Sequence, residues 1–161
     1  MQAKSFRNLL TLLFFWVYGF AVSAENAPRF TENKGQLPEQ VEFKIRVANS
    51  DIYFEKNRLV FNVYNPELLD RHNHDGGHKH ELDNSGHSYH VNFLGASSQA
   101  VVNSDGNMYS DYYNYITGSH TVSHVSSFDK LVYRNVSQGI DIEYFGKEGN
   151  LKYDVIVEAG A

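Results

Sequence analysis

The clearest structural signal in this 161-residue chain is the stretch at positions 131–157, which reads LVYRNVSQGIDIEYFGKEGNLKYDVIV. Apolar residues recur at every second position in much of it, for example at Ile140, Ile142 and Tyr144. Because successive side chains of a β-strand point to opposite faces, this period gives each strand one apolar face. The Asn and Gly within positions 147–150 tolerate the positive φ of a hairpin turn. The stretch therefore predicts consecutive antiparallel strands.

The same period extends over most of the chain. It recurs in the segments 41–47, 52–54, 59–63 and 89–93. We predict hairpin turns at Lys56-Asn57 and at Asp105-Gly106, where residues typical of tight turns separate apolar runs. Short strands spaced by about ten residues are typical of an antiparallel sandwich or a related two-sheet fold. The sequence therefore predicts an all-β, antiparallel β-sandwich-like domain over residues 25–161.

Residues 1–24 have the layout of a cleavable export signal. Lys4 and Arg7 form a basic head, an apolar run follows at 9–22, and small residues end at Ala24. Charge, apolar length and small side chains in this order are recognised by the translocon and the signal peptidase. We predict a signal peptide with cleavage after Ala24. The alternative is an uncleaved membrane anchor, for which the apolar run is short.

Charge and cysteine content exclude several classes of protein. The chain has 14 basic and 19 acidic residues and no cysteine, and removal of the signal segment leaves 12 basic residues and a net charge of −7. Nucleic-acid binding requires a basic face, so we expect no nucleic-acid partner. The absence of cysteine excludes thiol catalysis, Cys-ligated zinc and a disulfide scaffold. We expect an exported product with no membrane span after signal cleavage.

A polar segment at about 66–86 separates the apolar runs and carries His72, His74, His78 and His80. Neutral imidazoles at this density are ligands for divalent metals such as Zn, Ni or Cu. Two adjacent glycines oppose a helix that would align these side chains, and no partner orients their second nitrogens. We therefore expect a mobile polar loop with incidental metal affinity and no cofactor.

Oxygen-bearing side chains occupy alternate positions from Asn103 to Asp111, as in a calcium-binding loop. Such a loop has a glycine at its sixth position and a glutamate at its twelfth, and this sequence has neither residue there. The pattern therefore favours a hairpin turn.

Asp141 and Glu143 stand two residues apart, so a strand would project both carboxylates from one face. Paired carboxylates perform glycosidase chemistry, whereas a solvated strand face explains the same pattern without catalysis. Motifs of serine hydrolases, zinc proteases and phosphate loops are absent from the sequence. We therefore predict no catalytic residue.

Tyrosines cluster at positions 109–115. Strand alternation would send Tyr113 and Tyr115 to one side and Tyr112 to the other. An exposed set would form a ligand surface for a sugar or a protein, because the ring offers area at low entropic cost. Packing in a core beneath a loop is the alternative, and it is the one we favour.

Five short motifs resemble one protein family. The first, residues 30–38 (FTENKGQLP), is similar to the family's opening F-x-E-N-K-G-Q-x-P. The others follow in the same order at residues 86–96, 113–118, 132–142 and 151–161. On these motifs the chain resembles a domain of unknown function that begins many large exported proteins of the Bacteroidota.

The resemblance implies a context for the chain. Its relatives usually continue into SBBP-type β-propeller repeats, PKD modules and a sorting signal for type IX secretion, and some are linked to gliding motility or adhesion. It therefore implies a protein at the outer-membrane surface of a Gram-negative bacterium or in the medium outside it. No catalytic residue is established for the family. Relatives extend beyond the motif at 151–161, so we expect a truncated copy whose fold is incomplete at the C-terminus.

We therefore expect a non-catalytic module of a secreted or cell-surface protein, with a role in interaction, adhesion or structure. Its expected partners are downstream domains of a longer polypeptide and a surface glycan or protein. Two alternatives stay open. One is a carbohydrate-active or metal-dependent hydrolase fragment, and the other is a glycan-binding module that uses the tyrosines at 109–115.

Overall fold

The computed structural model describes residues 27–65, 86–97, 100–118 and 120–161. These residues form twelve strands and no helix, which confirms the predicted all-β fold. The strands are β1 (Phe30–Glu32), β2 (Val41–Val47), β3 (Ser50–Glu55), β4 (Arg58–Tyr64), β5 (Gly86–Asn92), β6 (Val101–Ser104), β7 (Tyr113–Thr117), β8 (His120–Val125), β9 (Ser127–Phe128), β10 (Lys130–Ser137), β11 (Ile140–Lys147) and β12 (Asn150–Val157). The predicted signal peptide at 1–24 and the four histidines of the polar segment lie outside the described residues.

The described strands pair in three sheets, and every pairing is antiparallel. A six-stranded sheet has the order β5-β4-β3-β2-β1-β9, and a four-stranded sheet has the order β12-β11-β10-β6. Strands β7 and β8 form a separate two-stranded sheet, here named the tyrosine hairpin.

The core lies between the six-stranded and four-stranded sheets, because both sheets contribute to one cluster of buried residues. Its buried members are Phe30, Ile45, Ile52, Phe54, Leu59, Val102, Leu131, Tyr133, Val136 and Tyr144. Tyr133 is fully buried at the centre, and its ring lies 5.2 Å from that of Phe93 and 5.8 Å from that of Tyr144. Its hydroxyl donates a hydrogen bond of 2.6 Å to the backbone carbonyl of Glu55. This bond and the shared aromatic packing join the two layers of the predicted sandwich.

Two of the predicted hairpin turns are present. Lys56-Asn57 joins β3 to β4, since Glu55 pairs with Arg58. Glu148-Gly149 joins β11 to β12, and its two residues have φ values of 53° and 71°. Two successive positive φ values are what a type I′ turn requires, which explains the residue types there.

The hairpin predicted at Asp105-Gly106 is wrong. Strand β6, which precedes it, pairs with β10 and has no hairpin partner following it. The residues after β6 instead lie beside the end of β9. There the Asp129 carboxylate accepts hydrogen bonds from the backbone N–H and the side-chain amide of Asn107, at 2.8 and 3.0 Å. Gly86, which the sequence placed at the end of the polar segment, is the first residue of β5.

Strand β12 lies at one edge of the four-stranded sheet. Tyr153 and Val155 face the same side as the core residues with which they pair, Tyr144 and Ile142, yet both remain exposed. Tyr89 at the edge of the six-stranded sheet is also exposed, although its ring stacks on Phe61 at 4.8 Å. Core-facing apolar side chains therefore remain accessible at one edge of each layer.

Candidate functional site

The side chain of Asn33 organises the turn that follows β1. Its amide nitrogen donates to the carbonyls of Leu37, Pro38 and Val41, at 3.2, 3.0 and 2.8 Å. Its amide oxygen accepts from the backbone N–H groups of Gly35 and Leu37, at 2.9 and 3.1 Å. A single Asn thereby makes five contacts with backbone groups between Gly35 and Val41, four of them within the FTENKGQLP segment, which accounts for Asn at this position.

This turn holds the end of the tyrosine hairpin. The Lys34 ammonium donates to the carbonyl of His124 at 2.7 Å, and the Glu32 carboxylate accepts from the backbone N–H of Ser126 at 2.7 Å. Burial acts to raise the pKa of Glu32, but the hydrogen bonds from Ser126 and Lys34 outweigh it and hold the pKa below its usual value. The FTENKGQLP segment therefore positions the hairpin.

A β-bulge sets the direction of the tyrosines on the hairpin. One β7 residue opposes two β8 residues, between the pairs Tyr113–Val125 and Tyr115–Val122. His124 in the bulge has a φ of 57°, and its N–H donates to the side-chain oxygen of Asn114 at 3.1 Å. Val122 and Val125 are buried. A bulge re-aims nearby side chains and strengthens the local twist, so the hairpin has a defined inner side.

The tyrosines divide as strand alternation predicted, but they are not core residues. Tyr113 and Tyr115 line one cavity, whereas the ring of Tyr112 stacks on His124 at 4.5 Å. Their exposed fractions are 54% for Tyr112, 40% for Tyr113 and 36% for Tyr115, so the expectation of core packing is wrong. The reason is that the hairpin belongs to neither sandwich layer, and other aromatic residues fill the interior.

The cavity beside Tyr113 and Tyr115 has a volume of about 590 Å³. We name it the tyrosine–arginine cleft, and its lining residues are Ala27, Arg29, Thr31, Lys44, Arg46, Asp111, Tyr113 and Tyr115. Lys44 and Arg46 alternate along β2 with the core residue Ile45, so they stand on the outer face of the six-stranded sheet. The cleft therefore lies outside the sandwich core, between that face and the hairpin.

Arg29 forms one side of the cleft. Its Nη1 donates to both carboxylate oxygens of Asp111 at 2.8 Å, and its guanidinium lies 3.8 Å from the ring centroid of Tyr109. Burial acts to lower the pKa of Arg29, but the hydrogen bond and charge of Asp111 outweigh it and raise the pKa. A fixed guanidinium on an aromatic face is a typical recognition group for carboxylates.

Asp51 fixes the other two cations of the cleft. It accepts from Arg46 Nε and Nη2 at 2.7 and 2.8 Å and pairs with Lys44 Nζ at 2.9 Å. The hydroxyl of Tyr64 donates to the same carboxylate at 3.0 Å. Burial acts to raise the pKa of Asp51, but the hydrogen bonds and charges of Arg46 and Lys44 outweigh it, so the pKa lies below its usual value.

The cleft carries an excess of positive charge on an acidic chain. The cations Arg29, Lys44 and Arg46 face two carboxylates, whereas the whole chain has a net charge of −5. Burial, with smaller effects from the neighbouring Tyr113 and Asp51, raises the pKa of Tyr115, so its hydroxyl stays protonated. Within the described ranges the hydroxyls of Tyr113 and Tyr115 make no hydrogen bond to the protein. Aromatic surface, hydroxyls and cations suit the cleft to binding an anionic or hydroxyl-rich molecule.

The family match begins at the first residue of the FTENKGQLP segment. Residues 30–161 match the model of a family described as "Domain of unknown function (DUF7948)". The chain belongs to this family. The match confirms the part of the sequence resemblance that concerns a domain of unknown function. No curated protein matches the chain, and no solved structure matches it either.

The two carboxylates singled out on β11 of the DUF7948 domain have separate cationic partners. Asp141 accepts from Arg134 at 3.3 Å and from the backbone N–H of Asn135 at 2.8 Å. Glu143 accepts from Lys130 at 3.2 Å. Each carboxylate thus helps to hold β10 against β11, and this structural role explains its presence.

The oxygen-bearing residues at 103–111 do not converge on one point. Asp105 pairs with Arg134 at 2.7 Å, Asn107 binds Asp129, and Asp111 binds Arg29. In the part of the chain that the structure describes, no group of three His, Cys, Asp or Glu residues could hold a metal ion. The same residues contain no helix long and apolar enough to cross a membrane.

Sequence reasoning identified the tyrosines of the cleft and missed its cations. Lys44 and Arg46 occupy the polar positions of the period-two segment 41–47, as on any half-buried strand, and Arg29 precedes the first strand. Their common outer face follows from alternation with Phe43 and Ile45, and that signal was available in the sequence. The juxtaposition with the hairpin was not available, because it depends on the contact between Lys34 and His124, which are far apart in the chain.

Proposed function

We propose that this DUF7948 chain is a non-catalytic module of a secreted or cell-surface protein and that it acts by binding. The observation that carries the proposal is the tyrosine–arginine cleft. Both carboxylates at the cleft are counter-ions of its cations, since Asp111 binds Arg29 and the adjacent buried Asp51 binds Lys44 and Arg46. Aromatic walls with a few convergent polar groups are typical of binding sites.

The layout of residues 1–24 and the resemblance to Bacteroidota surface proteins support export by a Gram-negative cell to its outer-membrane surface or the medium. The test is fractionation of the native host, with N-terminal sequencing of the product. We expect a mature chain that begins at Glu25 outside the cytosol. An uncleaved protein in the cytosol would contradict the proposal.

The resemblance also supports a longer polypeptide, with SBBP repeats, PKD modules and a type IX sorting signal downstream. The exposed edge of β12 and its core-facing Tyr153 and Val155 fit this proposal, because a further strand would pair the edge and cover those side chains. Thermal unfolding of residues 25–161 should be compared with that of a version extended to the natural C-terminus. We expect the extended version to unfold at a higher temperature and to associate less. Equal behaviour of both versions would contradict a missing strand.

Saccharide binding is the form of interaction that the cleft favours. Tyr113 and Tyr115 are partly exposed on one wall, and a tyrosine ring packs against the apolar face of a sugar while its hydroxyl forms hydrogen bonds. On a glycan array, Tyr113→Ala and Tyr115→Ala should each reduce retention. Tyr112→Ala is the matched control and should retain binding, because Tyr112 stacks on His124 and does not line the cleft.

The hydrolase alternative makes a different prediction. If Asp141 or Glu143 performed acid–base chemistry, Asp141→Asn and Glu143→Gln would abolish turnover of a polysaccharide. We expect any activity of the full-length protein to survive both changes, because each carboxylate is engaged in an ion pair between neighbouring strands. Loss of turnover in folded variants would favour the hydrolase.

A further inference from the structure

We infer that the tyrosine–arginine cleft takes an acidic saccharide, meaning a sugar unit that carries a carboxylate. The inference rests on the proposed binding function and specifies its ligand class. The cleft volume of about 590 Å³ lies in the range of small-molecule sites, about 300–1,000 Å³. It therefore has room for sugar units as well as for the carboxylate.

The charge of the cleft selects an anion. Three cations lie on its lining, against the lining carboxylate Asp111 and the adjacent buried Asp51. The rest of the chain is acidic overall, so the cleft is a local positive region that attracts a negatively charged group. A neutral sugar would use the tyrosines and leave the net charge of the cleft, three cations against two carboxylates, uncompensated.

The internal contact between Arg29 and Asp111 shows which anion the site accepts. Both oxygens of the Asp111 carboxylate lie 2.8 Å from Arg29 Nη1. Asp111 precedes β7, and its side chain is 60% exposed, so its ion pair is weak and open to exchange. A ligand carboxylate of the same shape can replace that of Asp111 on the guanidinium. Asp111 thus occupies the place on Arg29 that we assign to the ligand carboxylate.

The tyrosine wall supplies the second half of the recognition. The partly exposed rings of Tyr113 and Tyr115 offer apolar area to a sugar ring, and their hydroxyls have no protein partner among the described residues. A sugar presents hydroxyls that both donate and accept, which matches a phenolic O–H. A small anion such as acetate meets the cations alone and would bind less tightly.

Isothermal titration of the full-length mature protein tests the inference with three probes. They are a galacturonate trisaccharide, the uncharged galactose trisaccharide of the same linkage, and acetate. We expect the acidic trisaccharide to bind at least about tenfold more tightly than either other probe, a difference set by one good charged contact. Its affinity should fall as NaCl rises from 0.05 to 0.5 M, because salt screens exposed charges.

Matched variants locate the binding. Arg29→Gln and Tyr115→Ala should each weaken binding of the acidic trisaccharide by about tenfold. Asp111→Asn should strengthen it several-fold, because it frees Arg29 and removes a competing negative charge. Tyr112→Ala should leave the affinity unchanged. Circular dichroism checks the fold of each variant, and Tyr115→Phe replaces Tyr115→Ala if the latter does not fold.

The outcomes distinguish a failure of the acidic ligand class from a failure of the proposed saccharide binding. Equal binding of the two trisaccharides, with loss in Tyr115→Ala, would overturn the acidic class and leave saccharide binding in place. Weakened binding in Asp111→Asn would overturn the exchange of carboxylates on Arg29. If neither trisaccharide binds, a glycan array decides further. Tyr115-dependent retention of neutral glycans alone removes only the acidic class, retention of another carboxylate-bearing glycan supports it, and no retention on the array contradicts both proposals.

Discussion

Replacement of Asp51 by Asn removes one buried negative charge and nearly preserves the side-chain volume. The residue is 2% exposed and accepts four contacts of 2.7 to 3.0 Å from Arg46, Lys44 and Tyr64. The amide offers one oxygen in place of two and turns N–H donors towards cations. We expect Asp51→Asn to reduce the free energy of unfolding and to free the side chains of Lys44 and Arg46 that line the tyrosine–arginine cleft.

The magnitude follows from the number of charged contacts and from the freedom of the cations. Removal of one partner from a buried ion pair costs about 3–5 kcal/mol when the other charge stays buried. Here the side chain of Arg46 is 61% exposed and can regain water, so much of that penalty is avoided. We therefore expect a loss of about 2–3 kcal/mol, close to the value of one or two charge-assisted hydrogen bonds.

The dependence on pH provides an internal check. The pKa of Asp51 in the folded protein lies below its ordinary value of 3.8, because Arg46 and Lys44 together outweigh the effect of burial. The charge therefore contributes stability that is fully present above the ordinary pKa and is lost as pH falls through the folded-state pKa. The difference between wild type and Asp51→Asn should be constant from pH 8 to about pH 5 and should shrink below about pH 4.

Urea unfolding followed by circular dichroism measures the change, since the chain's one Trp lies in the predicted signal segment at position 16. With a loss of about 2–3 kcal/mol and a slope of about 1–3 kcal/mol/M, the midpoint should fall by about 0.7–3 M. Asp111→Asn is the matched control and should cost about 0–1 kcal/mol, because its ion pair is exposed. A change below about 0.5 kcal/mol for Asp51→Asn at pH 7, or a difference that persists at low pH, would refute the reasoning.

Three further changes probe the core, a close backbone approach and an edge. Tyr133→Phe should lower the free energy of unfolding by about 1–3 kcal/mol, since it leaves the Glu55 carbonyl without its 2.6 Å donor; an unchanged urea midpoint would contradict this. Gly146→Ala should lower the free energy of unfolding by about 1–3 kcal/mol in the same assay, because its Cβ would lie 2.7 Å from the backbone oxygen of Pro28. An unchanged urea midpoint would mean that the backbone at Pro28 moves away without cost. Val155→Lys on β12 should reduce self-association in light scattering and change stability by less than about 0.5 kcal/mol; unaltered association would exclude this edge as its cause.

The long strands were predictable because their patterns are local. Strands β11 and β12 each span eight residues with period-two apolar positions, and Glu148-Gly149 marks the turn between them. Strand β1 has only three residues, which is too short to show a period. It pairs with β9, in which Phe128 is the partner of Phe30. Because these two residues are far apart in the chain, the formation of β1 depends on tertiary contacts.

The site was predictable only in part for the same reason. Alternation placed Tyr113 and Tyr115 on one side, but it did not show whether that side faced the core. The answer depends on Lys34 and Glu32 holding the hairpin at His124 and Ser126, over sequence separations of 90 and 94 residues. No local pattern records such a contact.

The tyrosine hairpin supplies one wall of the cleft without belonging to either layer of the sandwich. Exposed positions of the hairpin can therefore change while the aromatic core and the strand pairing of the two sandwich layers stay the same. Diversification of the exposed positions within 109–117, with Asn114, Val122, Val125 and the Asn33 turn kept constant, is a route to new specificities on this scaffold.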